Sequence, residues 1–311
     1  MTERAPDQEI SKRRIHALPA GRSAAEPAAA HRSCLVCATG LYAPSRLPGL
    51  LRCQQCGFVS ADVDVSDSEM IRLYGEDYFH GQEYADYVAE EESLRINFRD
   101  RLATLKKWGP PSLADAKLFE IGCAYGFFLA EMRGVVASAA GVDISADAVR
   151  YAVEKRGVDA RQGDYLAMKL PQPVDIIAMW DTIEHLRRPD LFIEKAAREL
   201  RPGGVIAITT GDIDSFNARL RGRRWRMIHP PTHLHYFSVA SITRLLDRSG
   251  FDVVHASHPG NSRSIRAIAY FFLVLKMKQR GLFDWLLDHG FLNHRVTANL
   301  YDILYVIARR R

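Results

Sequence analysis

The sequence predicts an α/β protein built on a Rossmann-like, mostly parallel sheet, with a small cysteine-rich module in front of it. From about Lys117 onward, apolar strand-like segments alternate with amphipathic helix-like segments, as in sheets that are covered by helices on both faces. The first strand breaks into a short loop that begins at Gly122 and ends at Gly126. Four of the five cysteines form two C-x-x-C pairs before the sheet. With 311 residues, the chain can hold one large domain and one small module.

Composition and charge are those of a folded, soluble protein. The hydrophobic content is 47% and the net charge is +5, which permits a nucleic-acid partner without requiring one. The longest apolar run, Ala267 to Leu275, has nine residues, whereas a membrane span requires roughly 20. No apolar segment follows Arg13 and Arg14, so a secretory signal is not expected. The sequence therefore predicts no transmembrane segment and a cytoplasmic location.

The N-terminal region is predicted to be a disordered tail followed by a zinc ribbon. Residues 1–32 are rich in Ala, Pro, Arg and Glu and lack hydrophobic periodicity. In residues 33–62, fifteen residues separate two C-x-x-C turns, and each turn directs two thiolates at one tetrahedral centre. Two disulfides or a redox pair are the alternatives, but a reducing cytoplasm disfavours disulfides and redox motifs contain a single C-x-x-C. We expect a closed, structural zinc site with the ligands Cys34, Cys37, Cys53 and Cys56.

The elements of the predicted sheet follow in order along the chain. The expected strands are Lys117–Ile121, Ala139–Asp143, Asp159–Arg161, Val174–Met179, Val205–Thr210 and Phe251–Ala256, with a final strand at Asp302–Ala308. The expected helices are Ser93–Trp108, Phe127–Gly134, the segment from Ser145 to Gly157, Asp190–Leu200 and Ser238–Ser249. In the helix Asp190–Leu200, for example, apolar residues recur at i, i+3, i+4 and i+7. Residues 263–297 interrupt the pattern as an apolar helical insert before the last strand.

The loop after the first strand predicts a nucleoside cofactor. A side chain at Gly122 or Gly126 would prevent the tight turn and the close approach of the backbone to a ligand. Asp143, at the end of the second strand, is placed to accept hydrogen bonds from a ribose diol. A dinucleotide fingerprint, G-x-G-x-x-G, counted from Gly122 would need a glycine at Phe127, so no pyrophosphate site is predicted. Ordinary βα turns that bind nothing are the alternative.

Taken in order, these segments resemble the class I S-adenosylmethionine (SAM)-dependent methyltransferases, from about Leu118 to Ala256. The resemblance implies a seven-stranded methyltransferase sheet within residues 113–311, with an active-site loop after the fourth strand and a turn at Leu200–Gly204 before the fifth. It also implies that the loop from Glu120 to Gly126 surrounds the methionine half of SAM. Asp143 would bind the ribose and Asp164 would face the adenine amino group.

The cofactor-binding residues implied by this resemblance are Glu120, Gly122, Cys123, Ala124, Gly126, Asp143, Ile144, Asp164, Tyr165 and Trp180. Ala124 stands where many relatives have a second glycine, and its small side chain is expected to preserve binding. Cys123 has the simpler interpretation of a small packing residue. In relatives the segment before the first strand often forms a lid, and residues 63–112, with Tyr74, Tyr78 and Phe79, match it in position. Packing of the ribbon onto the catalytic domain is the alternative use of these aromatic residues.

The methyl acceptor is expected at the carboxyl ends of the strands, at the loops after the fourth and fifth strands. The second loop contains three histidines and a tyrosine within eight residues. If the acceptor is a hydroxyl, a group must take its proton, and histidine is the commonest choice near neutral pH. The catalytic candidates are Asp181, His185, His233, His235 and Tyr236. The structural alternatives are that Glu184 and His185 only rigidify their loop and that His233 hydrogen-bonds the start of a helix.

The H-x-x-x-F-S element from His233 to Ser238 resembles the small-molecule branch of the family, which contains ubiquinone-type O-methyltransferases and sugar methyltransferases. We expect O- or C-methylation of a small molecule, such as a sugar, a glycan or a lipid-linked intermediate. The alternatives are an RNA methyltransferase that uses the ribbon and the arginine-rich segment Arg219 to Arg226, and a SAM-binding protein without activity. The 263–297 insert is interpreted as packing on its own domain, with a substrate cover, a membrane-surface patch or a homodimer contact as alternatives.

Overall fold

The computed structural model describes residues 33–66, 69 and 87–311. The predicted disordered tail at residues 1–32 and the predicted lid residues Tyr74, Tyr78 and Phe79 lie outside these ranges. Within them, no helix combines the length and the apolar character that crossing a bilayer requires.

The N-terminal module is a small antiparallel sheet that the larger domain completes. Strands β1 (Tyr42–Pro44), β2 (Leu50–Cys53) and β3 (Val59–Ala61) come from the module. The fourth strand, β9 (His235–Tyr236), comes from the loop that follows the fifth strand of the main sheet. It pairs with β3 through the partners Val59 and Tyr236 and the partners Ser60 and His235. The sequence analysis did not predict this shared sheet.

The main sheet has seven strands, which confirms the predicted fold class. They are β4 (Lys117–Ile121), β5 (Ser138–Asp143), β6 (Asp159–Gln162), β7 (Val174–Trp180), β8 (Leu200–Gly211), β10 (Phe251–Ser257) and β13 (Ile303–Arg310). Their spatial order is β10-β13-β8-β7-β4-β5-β6. Strands β4 to β8 are parallel to one another, whereas β13 is antiparallel to both β8 and β10.

Helices cover both faces of this sheet. The α-helices of the described residues are α1 (Glu91–Trp108), α2 (Phe127–Glu131), α3 (Ala146–Arg156), α4 (Pro189–Glu199), α5 (Phe216–Arg221), α6 (Val239–Arg248), and α7 (Ile265–Ala269) and α8 (Arg280–Asp288) of the insert. Ser145 caps α3, since its side chain accepts a hydrogen bond from the Ala148 N–H. Ser238 caps α6 in a capping box with Ser241. These caps fix where both helices begin, in agreement with the sequence analysis.

The core lies on both faces of the central strands, as expected for a sheet between two helical layers. In β7, Ile177 and Met179 belong to the cluster on one face, whereas Ile176 and Ala178 belong to the cluster on the other. All four side chains are inaccessible to solvent. The continuous apolar run of this strand therefore serves two cores at once.

Two details differ from the predicted elements. The segment Leu200–Gly204, predicted as a turn, is instead the irregular start of β8. Val174 pairs with Leu200 and Ile176 pairs with Val205, so the register shifts between these two pairs. Gly203, within the irregular part, has φ +76°. The insert before the last strand is helical as predicted, with a π-helical segment Tyr270–Lys276 between α7 and α8. A hairpin of β11 (Asn261–Ser264) and β12 (Arg295–Ala298), which was not predicted, closes its base.

Candidate active site

A cavity of about 470 Å³ lies at the carboxyl ends of β4, β5 and β7. Its lining comes from α1, from the loops after these three strands and from the loop after β6. The lining residues are Tyr87, Leu94, Phe98, Arg101, Ile121, Gly122, Ala124, Val142, Asp143, Ile144, Gly163, Asp164, Tyr165, Leu166, Trp180, Asp181, Thr182, His185, Leu186, Arg187, Arg188 and Phe192. This is the edge of a parallel sheet at which ligands bind in open α/β folds.

The loop after β4 turns tightly beneath the cavity. Gly122 has φ +76°, and a Cβ atom placed on it would lie 2.7 Å from the Thr182 side chain. Gly126 has φ +72°, and its Cβ would lie 2.7 Å from Val158. Ala124, between them, adopts φ +45° as a non-glycine residue. The two glycines are therefore needed for the backbone path, and only Gly122 of the pair also lines the cavity.

Asp143 links this loop to the start of α3. One carboxylate oxygen accepts a hydrogen bond from the Ala124 N–H at 2.8 Å, and the other accepts one from the Ser145 N–H at 2.9 Å. Burial raises the pKa of Asp143, against the effect of these backbone donors. Because each carboxylate oxygen has two lone pairs, acceptor capacity remains toward the cavity that this side chain lines. The arrangement suits a neighbouring diol.

At the same end of the cavity, the loop after β6 supplies a second carboxylate, and apolar side chains lie around it. Asp164 follows β6 and accepts a hydrogen bond from the Leu166 N–H at 2.9 Å, which orients its side chain. Ile144, Tyr165 and Leu166 line the cavity around it. A flat apolar ring with a polar edge fits between such groups.

Three of the predicted cofactor-binding residues lie behind the cavity wall. Glu120 is buried, and burial together with the charge of Asp143 raises its pKa well above the ordinary value. Cys123 is also buried and packs against Gly141, where an added Cβ would come within 2.7 Å of the Cys123 Cβ. Gly126 is the third. The remaining seven residues, from Gly122 to Trp180, line the cavity.

The opposite end of the cavity is formed by the loop after β7. Asp181 has φ +49°, and its N–H donates to the Thr209 carbonyl at 3.0 Å. One carboxylate oxygen accepts from the Thr209 hydroxyl at 2.9 Å, and the other pairs with Arg101 at 3.2 Å. The Arg101 guanidinium also lies 5.5 Å from the centre of the Trp180 ring. Arg101, which belongs to α1, therefore holds the Asp181 carboxylate in place.

His185 is the predicted catalytic histidine that lines the cavity. Its Nδ1 lies 2.9 Å from the Thr232 carbonyl oxygen, which can only accept, so Nδ1 carries the proton. Burial lowers the pKa of His185 to about 4, and the imidazole is therefore neutral at pH 7. A neutral imidazole at this end of the cavity is able to accept a proton.

The structure places the other three catalytic candidates away from the cavity lining. The His235 Nδ1 lies 3.0 Å from the Ser60 hydroxyl, and its ring centre lies 5.5 Å from that of Phe58, so this histidine joins the module to the main domain. The Tyr236 hydroxyl donates to the His233 carbonyl at 3.1 Å. The His233 ring lies behind His185, with 4.5 Å between the ring centres.

The four predicted zinc ligands converge on one point. The Sγ atoms of Cys34 and Cys56 are 3.5 Å apart, and those of Cys37 and Cys53 are 3.7 Å apart. Four thiolates about 2.3 Å from a zinc ion have sulfur–sulfur separations of roughly 3.8 Å, which these distances approach. A Cβ on Gly40 would lie 2.3 Å from the Cys53 sulfur, so a glycine is required beside the cluster. The donor set fits a closed, structural zinc site.

The arginine-rich segment Arg219–Arg226 lies outside the cavity lining. The Trp225 Nε1–H and the Arg226 guanidinium donate to the Asp302 carboxylate at 2.9 Å each, which anchors the segment beside β13. The side chains of Arg219, Arg221, Arg223 and Arg224 are exposed. The segment is thus partly a structural anchor.

Sequence reasoning missed several lining residues. Phe98 and Arg101 lie on α1, and their spacing of three is compatible with one helix face, but the sequence does not say what that face covers. Thr182, Arg187 and Arg188 flank the predicted residues of the loop after β7. The sequence could have indicated these lining residues only through their proximity in the chain to Asp181 and His185.

Comparisons with known proteins agree with this geometry. The sequence profile of the methyltransferase-domain family matches residues 89–256. A Mycolicibacterium smegmatis protein named "Probable S-adenosylmethionine-dependent methyltransferase" is 30% identical over 142 residues, which cover 45% of this chain and 53% of that protein. The ubiquinone biosynthesis O-methyltransferase of Cupriavidus pinatubonensis is 25% identical over 174 residues, which cover 52% of this chain and 67% of that protein. The matches thus span between about half and two thirds of the length of these relatives.

Solved structures share the fold. The magnesium protoporphyrin IX methyltransferase of Synechocystis PCC 6803 with bound SAH has a TM-score of 0.54 and 12% identity, covering 79% of this chain and 100% of that one. A chain from the complex between the Haloferax volcanii Trm112 methyltransferase activator and a methyltransferase has a TM-score of 0.51 and 15% identity, covering 79% of this chain and 99% of that one. Since the family profile covers more than half of the sequence and the strand order is that of the predicted sheet, the chain belongs to the methyltransferase-domain family and has the class I fold.

Proposed function

We propose that the protein transfers a methyl group from SAM to a small-molecule acceptor by O- or C-methylation. The observation that carries this proposal is one cavity with two chemically different ends. Asp143 and Asp164 lie at the end formed by the loops after β5 and β6, whereas Asp181 and His185 lie at the end formed by the loop after β7. The first end suits a nucleoside and the second suits a reacting group.

The residues at the first end fit SAM. Gly122 lets the backbone approach the ligand, Asp143 offers acceptors to a ribose diol, and Asp164 faces an adenine edge across the apolar side chains of Ile144 and Leu166. When bound, SAM supplies an electrophilic sulfonium methyl group for in-line displacement. The protein contributes orientation and exclusion of water, which account for much of the rate enhancement when two reactants are aligned.

His185 is the group that we propose to activate the acceptor. The Thr232 carbonyl fixes its tautomer, and burial keeps the ring neutral at pH 7. Arg101 holds the neighbouring Asp181 by an ion pair, and the role that we propose for this carboxylate is to orient the acceptor. The acceptor that we favour is a sugar, a glycan or a lipid-linked intermediate, in a cytoplasmic protein that also carries a structural zinc ion.

The test begins with purified full-length protein. SAM binding is measured by calorimetry, and acceptors are sought among metabolites that gain one methyl group in a cell extract supplied with isotope-labelled SAM. His185→Ala is then compared with the control His289→Ala, which changes an exposed histidine on the insert. We expect His185→Ala to lower kcat by about 10²–10⁴-fold with unchanged SAM affinity. Near-wild-type kcat and KM in His185→Ala would show that the acceptor end is assigned wrongly.

An RNA acceptor remains the alternative. The exposed arginines of Arg219–Arg226 are not among the residues that line the cavity. Retention on a polyanion column that decreases with salt, together with methyl transfer to RNA, would favour that alternative.

A further inference from the structure

We propose that the helical insert at residues 263–297 docks on membranes that contain anionic phospholipid. The insert consists of α7, the π-helical segment Tyr270–Lys276 and α8, and the hairpin of β11 and β12 closes its base. Its longest helix, α8, has nine residues, whereas a bilayer span requires roughly 20. The insert therefore lies on the membrane surface rather than across it. This docking goes beyond methyl transfer and does not depend on it.

The insert exposes a disproportionate share of the apolar side chains of the protein. Of the fourteen large apolar residues that are exposed in the described ranges, seven belong to the insert. Phe272 and Trp285 are each 50% exposed, and Met277 and Phe291 are more exposed still. Single exposed apolar residues are normal, but a concentration of this kind marks a surface that binds a partner. Packing within the chain accounts for the buried Phe283 but not for these side chains.

The charge of the insert is opposite to that of an anionic lipid surface. Residues 263–297 contain six Lys and Arg residues and two Asp residues, which give a net charge of +4. Lys276 and Lys278 are exposed beside the apolar residues. A second copy of the chain carries the same positive charge, so repulsion opposes the pairing of two inserts face to face. Anionic headgroups such as phosphatidylglycerol supply the complementary charge.

Aromatic and basic side chains are interleaved in a way that suits the membrane–water boundary. The Lys276 Nζ lies 4.9 Å from the centre of the Phe271 ring and 5.6 Å from that of the Phe272 ring. The rings can thus enter the headgroup layer while the ammonium group stays beside the lipid phosphates. Trp285 stacks on Phe291 with 5.8 Å between the ring centres, and tryptophan is enriched at membrane interfaces.

The base of the insert is hydrogen-bonded to the helix that lines the cavity. The Ser262 N–H donates to the Asn97 side chain at 2.7 Å, and the Asn97 amide donates to the Ser262 carbonyl at 3.1 Å. The Ser264 N–H and hydroxyl both donate to the Glu90 carboxylate. Asn97 belongs to α1, which also carries the cavity-lining Phe98. Docking of the insert therefore ties one wall of the cavity to the bilayer.

This connection favours one of the acceptor classes named above, the lipid-linked intermediate. The apolar tail of such an acceptor stays in the bilayer, so the protein has to meet it at the membrane surface. This step rests on the proposed function, because it concerns the methyl acceptor and not the docking itself.

The first experiment is flotation of the full-length protein with lipid vesicles. Vesicles made of equal parts of phosphatidylglycerol and phosphatidylcholine are compared with vesicles of phosphatidylcholine alone. We expect the wild type to bind the anionic vesicles more tightly and the binding to weaken as salt is added, since salt screens exposed charges. No binding to the anionic vesicles, or equal binding to both kinds, would overturn the proposal.

The charge contribution is tested in the double variant Lys276→Gln/Lys278→Gln. Its partition coefficient on anionic vesicles should be lower than that of the wild type by roughly 30-fold, the combined effect of two lysines near a charged surface. The matched control Lys155→Gln/Lys169→Gln removes the same charge from exposed positions outside the insert and should bind like the wild type. Equal losses in the two double variants would show that net charge, and not the insert, determines binding.

The apolar contribution is tested in Phe272→Ser/Trp285→Ser. Its partition coefficient should be lower by roughly 10-fold or more, because two aromatic side chains no longer leave water on docking. The control Leu41→Ser/Val153→Ser changes two exposed apolar residues elsewhere and should bind like the wild type. Analytical ultracentrifugation of the same samples tests the other occupant. A wild-type dimer that Phe272→Ser/Trp285→Ser converts to a monomer, without vesicle binding, would assign the surface to a second copy.

A last measurement uses the wild type alone and so does not depend on how the variants fold. Anionic vesicles should slow hydrogen exchange of backbone amides in residues 270–291, and unchanged exchange there in vesicle-bound protein would refute the insert as the docking surface. Calorimetry with SAM in the absence of lipid separates the two proposals. Missing SAM binding would refute the proposed function but not the docking, whereas missing vesicle binding with intact SAM binding would refute only the docking.

Discussion

Replacing Asp143 tests the assignment of the cofactor end most directly. In Asp143→Ala, the cavity loses the acceptors that we assign to a ribose diol, and the Ala124 and Ser145 N–H groups lose their acceptor. A lost hydrogen bond to a charged group costs about 1.5–3 kcal/mol. For SAM this corresponds to an affinity that is roughly 10- to 150-fold weaker. The two backbone N–H groups add a loss of stability of about 1–3 kcal/mol each if they remain unpaired.

The assay is titration calorimetry with SAM, combined with chemical denaturation of each variant without ligand. The matched control is Asp147→Ala, which removes a half-exposed carboxylate that pairs with Arg150 in the first turn of α3 and does not line the cavity. Asp147→Ala is expected to bind SAM like wild type. If Asp143→Ala also bound SAM with wild-type affinity while remaining folded, the placement of the nucleoside at this end of the cavity would be refuted.

Two further predictions concern the zinc module. Cys53→Ser should lower the zinc content at the four-cysteine site while SAM still binds. Because β3 pairs with β9, the same variant should also expose the backbone amides of β9 to hydrogen exchange. Exchange in β9 at the wild-type rate would contradict this coupling between the module and the main domain. His235 should make the wild type sensitive to acid. Burial lowers its pKa to about 4 from 6.5, so the unfolded state binds more protons between these values and stability is lost as the pH falls from 6.5 toward 4, by at most about 3 kcal/mol. In denaturation at pH 4.5 and 7, His235→Phe should lack this part of the pH dependence; an unchanged difference would count against it.

Most of the sheet was predictable because its signals are local. The run Ile176–Trp180 is apolar throughout because both faces of this part of the strand are buried. Ser145 marks the start of α3 because serine is a common helix-capping residue. The start of β8 was harder. Gly203 and its neighbours carry a turn signal, yet the chain bulges there and continues the strand, because pairing with β7 begins already at Leu200. A local signal does not reveal which neighbour a segment will pair with.

The candidate site was predictable where its residues follow strands and unpredictable where they do not. Asp143 and Asp181 end strands of one parallel sheet, so their chain positions place them at one edge. Arg101 reaches the same cavity from α1, and nothing local marks it as the partner of Asp181. Glu184 was interpreted only as a loop-stiffening residue, because its nearly complete burial is a property of the folded chain.

His235 shows how a dense cluster of functional side chains can serve two purposes. His235 is the first residue of β9, whereas His233 precedes the strand, and the two rings have different neighbours. The His233 ring lies 4.5 Å from that of His185 at the cavity wall, whereas the His235 Nδ1 lies 3.0 Å from the Ser60 hydroxyl of the N-terminal module. The segment Leu234–Tyr236 therefore connects the N-terminal module to the loop after β7, because β9 pairs with β3 and the Leu234 N–H donates to the Glu184 carbonyl. This connection gives the module a physical reason to influence methyl transfer without contributing a residue to the cavity lining.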